Sequence, residues 1–389
     1  MRPSDKTWCY VSKSALLANI HIFKKRIASG GRLGVVVKSN GYGHGFELSA
    51  KTFASAGADW LIVNDINEAV ELRRLGLHVP IYVCGPLGPG EASLVVDVQA
   101  RVVVTRMSQV EELAAAGQAS EHQIPLHVKI ETGCNRQGVD PDTALELVRT
   151  IWETEGVIFE GLTTHFADVE DTTDHRFAQD QLTTFNRVAD QLVAAGYKPR
   201  IRHSANSAAT ILWPHAHADL VRVGISAYGL WPSRETYATA LEAHARTQDG
   251  FIPRLQPALS WYTRVAEVKH VSAGSYVGYG RTYRTTHESR IAVLPIGYFE
   301  GYDRRLSNVA HVLINGRRAP VRGRVCMNMF MVDVTHIEGV EVGTVVTLVG
   351  KDGDEVIRLE DLASWSGSIN YEIVSRIHSS IPRIEDPRG

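Results

Sequence analysis

The sequence predicts a (β/α)8 barrel of the TIM type followed by a second, mainly β domain. Three observations carry this. Eight short, β-rich apolar runs alternate with helical patterns over about 200 residues. Those runs are nearly continuous in apolar character rather than alternating, as strands covered on both faces are. After about residue 245 the long helical patterns stop, and strands joined by Gly-rich turns take over. A doubly wound open sheet is the rival for the first part, and a count of eight favours the closed barrel.

The eight runs are 34–38 (GVVVK), 59–64 (DWLIVN), 80–85 (PIYVCG), 100–105 (ARVVVT), 126–132 (LHVKIET), 157–166 (VIFEGLTTHF), 201–205 (IRHSA) and 220–225 (LVRVGI). Between them lie helices with legible starts and stops. DINEAVELRRLG carries Asp65 with Glu68 three residues on and Gly76 as a stop; SQVEELAAAG repeats the device with Ser108, Glu111 and Gly117. DPDTALELVRTIWE and DQLTTFNRVADQLVAAG are further amphipathic helices. Residues 13–245 are therefore expected to form the barrel, and 1–12 an N-terminal strand packing with the C-terminal domain. Residues 246–389 form that mainly β domain, with a helix around 359–366 and a helical segment from Tyr371; 234–254 is the expected connection.

Composition narrows the function. A net charge of −2 gives no support for a nucleic-acid or membrane-surface partner, which calls for a basic stripe. No apolar run reaches the length of a membrane span, and the N-terminus lacks the apolar core of a secretion signal, so a cytoplasmic protein is expected. Cys9, Cys84, Cys134 and Cys326 lie far apart without a C-x-x-C pair, which indicates neither a metal site nor a disulfide framework.

In a barrel the chemistry collects just after the strands, at their C-terminal ends. Here those ends offer Lys38, Arg136, His165, Asn206 with Ser207, and Arg222 ahead of Gly224 and Ile225, with only Glu131 and Asp168 close by as carboxylates. Such a surplus of cations and donors calls for an anion, and the loops after the seventh and eighth strands are where barrels often hold a phosphate. A lysine beside a phosphate site, without a metal-ligand cluster or a Walker-type loop, points to a Schiff base with pyridoxal 5′-phosphate. It also explains a lysine at the end of a buried strand, because the reactive amine is uncharged.

VVVKSNGYGHG, KIETGCNRQG, THFAD, HSANSAA, VRVGISAYGL, VGYGRTY, LPIGYFEGYDRRLSN, GRVCMNM and INYEIVSRIHSSIPR occur in that order along nearly the whole chain. The set resembles the alanine racemases, which are fold-type III pyridoxal-phosphate enzymes and homodimers. The resemblance implies roles residue by residue. Lys38 matches the Schiff-base lysine and one catalytic base; Tyr279 matches the second base, reaching the cofactor from the other subunit. Arg222 matches the arginine facing the pyridine nitrogen, and His165 the histidine linking that arginine to the tyrosine. Arg136 resembles the residue bonding the cofactor's phenolic oxygen, and Tyr42, Asn206, Ser207, Gly224, Ile225 and Tyr371 the phosphate and ring contacts. Met327 falls where a backbone N–H meets the substrate carboxylate, with Arg136 and Asn328 nearby, and Tyr298 matches an entrance tyrosine. Lys129 matches a lysine that some members carbamylate. Two bases on opposite faces fit a reaction that removes the Cα proton from one side and returns one to the other. A phenol is a poor base at neutral pH, and a cationic His165–Arg222 chain is expected to favour the phenolate.

Some positions depart from the family's usual pattern. Cys134, Asn135 and Gln137 replace Met, Gly and a leucine-like residue. Asn328 stands for aspartate, Phe299–Glu300 for Ala–Asp, and Ala227 for a larger apolar residue. None removes a catalytic group, so the expectation is racemisation of a small amino acid, alanine first, with serine or a broader range as the alternative. A barrel-type amino-acid decarboxylase shares the fold plan and cofactor, but it places a glutamate and a partner-chain cysteine where Arg222 and Tyr279 stand. A non-catalytic cofactor-binding barrel lacks the second domain altogether.

Overall fold

The computed structural model describes residues 6–27, 30–247 and 251–388. The remaining positions, including the ends of the expected N- and C-terminal segments and 248–250 of the expected connection, lie outside the described residues. Contacts divide the chain into two compact units. One comprises Ala15–Gly41 and Phe46–Gln256; the other comprises the chain up to Ser14, Tyr42–Gly45, and the chain from Pro257 on.

The chain opens on strand β1 (Thr7–Val11). The first unit then supplies β2 (Arg32–Val36), β3 (Trp60–Val63), β4 (Ile81–Val83), β5 (Arg101–Val104), β6 (Ile124–Lys129), β7 (Val157–Thr163), β8 (Ile201–His203) and β9 (Leu220–Val223). They form one parallel sheet of eight strands in the order β8-β7-β6-β5-β4-β3-β2-β9. The two ends meet through Asp219 N–H donating to Arg202 C=O at 3.0 Å and Arg222 N–H to Ala205 C=O at 2.9 Å. The barrel is thereby nearly closed, as a count of eight strands implied. Each barrel strand overlaps a run that marks it, because the apolar residues of those runs are mostly buried. Val102, Val103 and Val104 are all fully covered, each worth about 1.5–3 kcal/mol of burial.

The helix at Ile66–Arg74 starts as the sequence reads. Asp65 accepts from Asn67 N–H at 2.8 Å and Glu68 accepts from Asp65 N–H at 3.3 Å, a capping box. The helix read at SQVEELAAAG differs. It runs from Met107 to Ala119, with Arg106 before it and no side-chain cap, so Ser108 lies inside it and Gly117 does not end it. Gly117 is there for space: a Cβ would sit 2.0 Å from Gly156 O. The expected connection also contains a helix, Arg234–Thr247.

The second unit adds β10 (Leu259–Arg264), β11 (Glu267–Val271), β12 (Ser289–Leu294), β13 (His311–Ile314), β14 (Arg317–Pro320), β15 (Phe330–Asp333), β16 (Val345–Asp352), β17 (Glu355–Ile357) and β18 (Arg383–Glu385). One sheet runs β14-β13-β16-β10-β1-β18 with β17 on β16; a smaller one runs β11-β12-β15. β1 pairs antiparallel with β10, from Thr7 opposite Thr263 to Val11 opposite Leu259. Helices at Leu359–Ser366 and Asn370–Arg376 lie near the chain's end, matching the helical patterns there.

Gly117→Ala should destabilise the chain by about 1–3 kcal/mol, whereas the same change in an open helix stabilises by roughly 0.5–1 kcal/mol. A lower thermal midpoint for the variant checks this, and an unchanged or raised one contradicts it.

Candidate active site

β2 stops at Val36, and Lys38 stands two residues beyond it, half-buried rather than at the end of a buried strand. The chain then turns left-handed: φ is 55° at Ser39, 57° at Asn40, 59° at Gly41 and 51° at Tyr42. Left-handed geometry costs an L-residue about 1–2 kcal/mol, so neighbours must hold it. Gly41 N–H donates to Val37 C=O at 2.9 Å and Phe46 N–H to Asn40 Oδ1 at 2.9 Å. Ser39 N–H donates to Glu68 Oε1 at 2.7 Å, while the other Glu68 oxygen accepts from Asn64 and Asp65 N–H at 2.9 and 3.3 Å. One carboxylate therefore caps a helix and anchors the turn that aims Lys38.

Arg222, on β9 opposite Gly34 of β2, is almost fully buried. Its guanidinium donates to the carbonyls of His203 (2.8 Å), Thr164 (2.8 Å) and Ser204 (3.1 Å), to Thr163 Oγ1 (3.2 Å) and to His203 Nδ1 (2.8 Å). Lys129 ends β6, also buried, with Gln137 Oε1 at 3.3 Å. Burial, then the charges of Arg136 and Arg222, bring its amine down to about 8. Arg136 itself is exposed. His165 is pushed well below the usual imidazole range, first by burial and then by Arg222, Arg136, Lys129 and Lys38. Burial first, and then the four positive groups, favour the neutral form of His165, so the charge of the expected His165–Arg222 chain rests on the arginine. The imidazole hydrogen-bonded to Arg222 is that of His203.

Beyond β8, Ser207 Oγ accepts Gly224 N–H at 2.9 Å, leaving its hydroxyl hydrogen as a donor. Ile225 is fully buried behind it in sequence. Asn206 is engaged at both ends of its amide, accepting from Ala209 N–H at 3.0 Å and donating to Glu170 Oε2 at 2.8 Å. It caps the short Ser207–Leu212 helix.

In the β unit, the rings of Tyr42 and Tyr371 lie 6.2 Å apart. Tyr279 follows Gly278, whose φ is +74°, and is 73% exposed. Two turns lie edge to edge there: Tyr298 N–H donates to Cys326 C=O at 3.1 Å and Phe299 N–H to Met327 C=O at 2.9 Å. Gly297 permits this approach, since a Cβ would meet Cys326 O at 2.2 Å. Asn328 Nδ2 donates to Glu300 Oε1 at 2.7 Å, and Gly297 N–H to Glu300 Oε2 at 2.8 Å. The two departures at 300 and 328 are therefore one hydrogen-bonded pair.

Sequence reasoning missed Glu68, His203, His127 and Glu160 as parts of the site's support. His127 carried a signal, an imidazole inside the apolar run of β6. Glu68 was read only as a cap.

A nearly closed parallel barrel with a lysine beyond β2 and cations at the strands' C-terminal ends has the layout of a barrel enzyme. Family models described as "Alanine racemase, N-terminal domain" and "Alanine racemase, C-terminal domain" match residues 11–232 and 258–385. The alanine racemase of Leptospira interrogans is 37% identical over 386 residues, covering 99% of this chain and 97% of its own. Among solved structures, the alanine racemase of Bacillus anthracis with bound L-Ala-P superposes with a TM-score of 0.90 at 34% identity, over 100% of this chain and 97% of that one. That of Bartonella henselae with covalently bound pyridoxal phosphate gives 0.83 at 25% identity, over 98% and 99%. The chain belongs to the alanine racemase family.

Two outcomes follow from this geometry. Removing the Glu68 carboxylate (Glu68→Ala) should speed hydrogen exchange at the Ser39 amide while distant barrel amides stay protected; equal protection would show that the turn stands unaided. A buried amine at about 8 disfavours folding while it is charged, so wild-type stability should rise as pH climbs from about 8 toward the unfolded value near 10.4. Lys129→Met should therefore be the more stable protein at pH 7, by on the order of 3 kcal/mol, with the gap closing in alkaline buffer. Parallel melting curves at the two pH values measure this.

Proposed function

We propose that this chain racemises alanine with pyridoxal 5′-phosphate, using Lys38 and Tyr279 as bases on opposite faces of the substrate. The observation that carries the reading is the set of cations at the barrel mouth: Arg222 buried on β9, Lys129 buried at the end of β6, and Lys38 just beyond β2. Such a mouth fits a phosphorylated, carbonyl-bearing cofactor and an amino-acid carboxylate. When bound, the cofactor withdraws electrons from the substrate's Cα and so makes its proton removable.

The chain's own residues do the rest. Lys38 anchors the cofactor and exchanges a proton at Cα on one face. Tyr279, supplied by the second subunit of a homodimer, exchanges a proton on the other. Arg222 presents N–H groups to the pyridine nitrogen; being permanently charged, it gives up no proton there. The Ser207 hydroxyl and the backbone of Gly224 and Ile225 hold the phosphate, with Asn206 orienting that loop through its cap. Tyr42 and Tyr371 contribute aromatic contacts. Arg136 bonds the phenolic oxygen, and Met327 meets the substrate carboxylate, with Tyr298 and Asn328 at the entrance. His165, neutral, can accept a hydrogen bond from the Tyr279 phenol.

The dimer is supported by what the β unit leaves in solvent: Tyr279, Tyr298, Phe299, Met327 and Met329 are all large, apolar-bodied and exposed. A cytoplasmic setting accords with four free cysteines. No helix among the described residues is long and apolar enough to cross a membrane.

Tyr279→Phe should keep the cofactor's visible absorbance and lose most Cα–H exchange in deuterated water, whereas Lys38→Ala should lose the absorbance itself. Undiminished exchange in Tyr279→Phe contradicts the two-base scheme. Chiral analysis of a panel of L-amino acids should place alanine first; another substrate far ahead of it revises the specificity and spares the mechanism.

A further inference from the structure

Arg222 is buried, and among the described residues no carboxylate lies within ion-pair distance of it. An unpaired buried cation is costly, so the groups that hold its guanidinium are under constraint. The hydrogen bonds lead from it to a carboxylate. His203 Nδ1 lies 2.8 Å from the guanidinium, His203 Nε2 lies 2.7 Å from His127 Nδ1, and His127 Nε2 lies 3.0 Å from Glu160 Oε2, the oxygen that also takes Arg101 Nε at 3.0 Å. Both imidazoles are fully buried.

Proton positions along this line are dictated from its ends. A guanidinium can only donate, so His203 Nδ1 is bare and its Nε2 carries the hydrogen. That hydrogen faces His127 Nδ1, which must also be bare, and His127 Nε2–H then points at the carboxylate. A proton added to either ring sets two donors against each other. Burial, the largest influence on both imidazoles, likewise favours their neutral forms.

The backbone is shaped to make room for the line. Register slips between Leu126 and His127: Leu126 pairs with Phe159 but His127 with Gly161, leaving Glu160 as the extra residue of a bulge. Bulges re-aim side chains in this way. At Gly161 a Cβ would stand 2.2 Å from His127 Nδ1, so only glycine leaves the ring its place. Tyr82 and Trp60 wall the imidazoles, with centroids 4.9 Å and 5.6 Å from His127.

We propose that Glu160, acting through His127 and His203, orients the Arg222 guanidinium at the barrel mouth, and that these three are positioning residues. This rests on the reading that Arg222 faces the cofactor, but the first measurement does not. In full-length protein with 15N-labelled histidine rings and no cofactor, both rings should show Nε2 protonated and Nδ1 bare, unchanged between about pH 6 and 9. Signals are assigned by single His→Asn replacements. An imidazolium, or an Nδ1-protonated ring, at either position overturns the proposal without recourse to any further variant. Glu160→Gln, whose amide oxygen still accepts from His127 Nε2–H, should keep both tautomers, because the opposite forms would set His203 Nδ1–H against the guanidinium. Glu160→Leu removes that acceptor and should displace both ring signals. With pyridoxal phosphate restored, kcat for alanine should fall about tenfold or more, with KM changed much less. Spectra of Glu160→Leu that coincide with wild type overturn the proposal, whatever reaction the loaded protein performs.

Discussion

A buried guanidinium without an adjacent carboxylate is the constraint around which the barrel mouth is organised. Arg222 is held by three carbonyls, a hydroxyl and an imidazole, and its field reaches His165 and Lys129. Those groups can share a small volume because burial and mutual repulsion move protons off them: His165 is neutral and Lys129 is eased toward neutrality. A mouth assembled this way is poor in negative charge and rich in donors, which is what a phosphate and an amino-acid carboxylate require.

Much of this was legible in the sequence, and the reasons are physical. Runs such as ARVVVT read as strands buried on both faces, and their count of eight favours the closed barrel over an open sheet. Asp65 and Glu68 announced their helix because a capping box is local chemistry. Gly117 misled for an equally clear reason. A glycine near a helix end reads as a stop, yet here it answers to Gly156 on a different segment, and packing between distant residues leaves no local mark. The slip between β6 and β7 is likewise invisible until the strands pair.

The site was legible where motifs carry chemistry and silent where support comes from afar. Lys38 and Ser207 lie beyond β2 and β8 and Arg222 lies within β9, whereas the three-way use of Glu68 depends on β2 and β3 lying side by side. Asn328 and Glu300 were each noticed as departures, but only their 2.7 Å bond makes them one change. An amide facing a carboxylate attracts where two carboxylates would repel, so the pair keeps the two turns together at the edge of the β unit.

The left-handed turn after Lys38 also limits what the lineage can write there. Ser39, Asn40 and Tyr42 all adopt positive φ, a conformation closed to valine, isoleucine and threonine at any reasonable cost. Selection at these positions therefore operates on backbone shape before it operates on side-chain chemistry. A random library would be expected to favour glycine, asparagine and aspartate at 39 and 40 and to lose the β-branched residues first, giving this segment an alphabet narrower than its exposure alone implies.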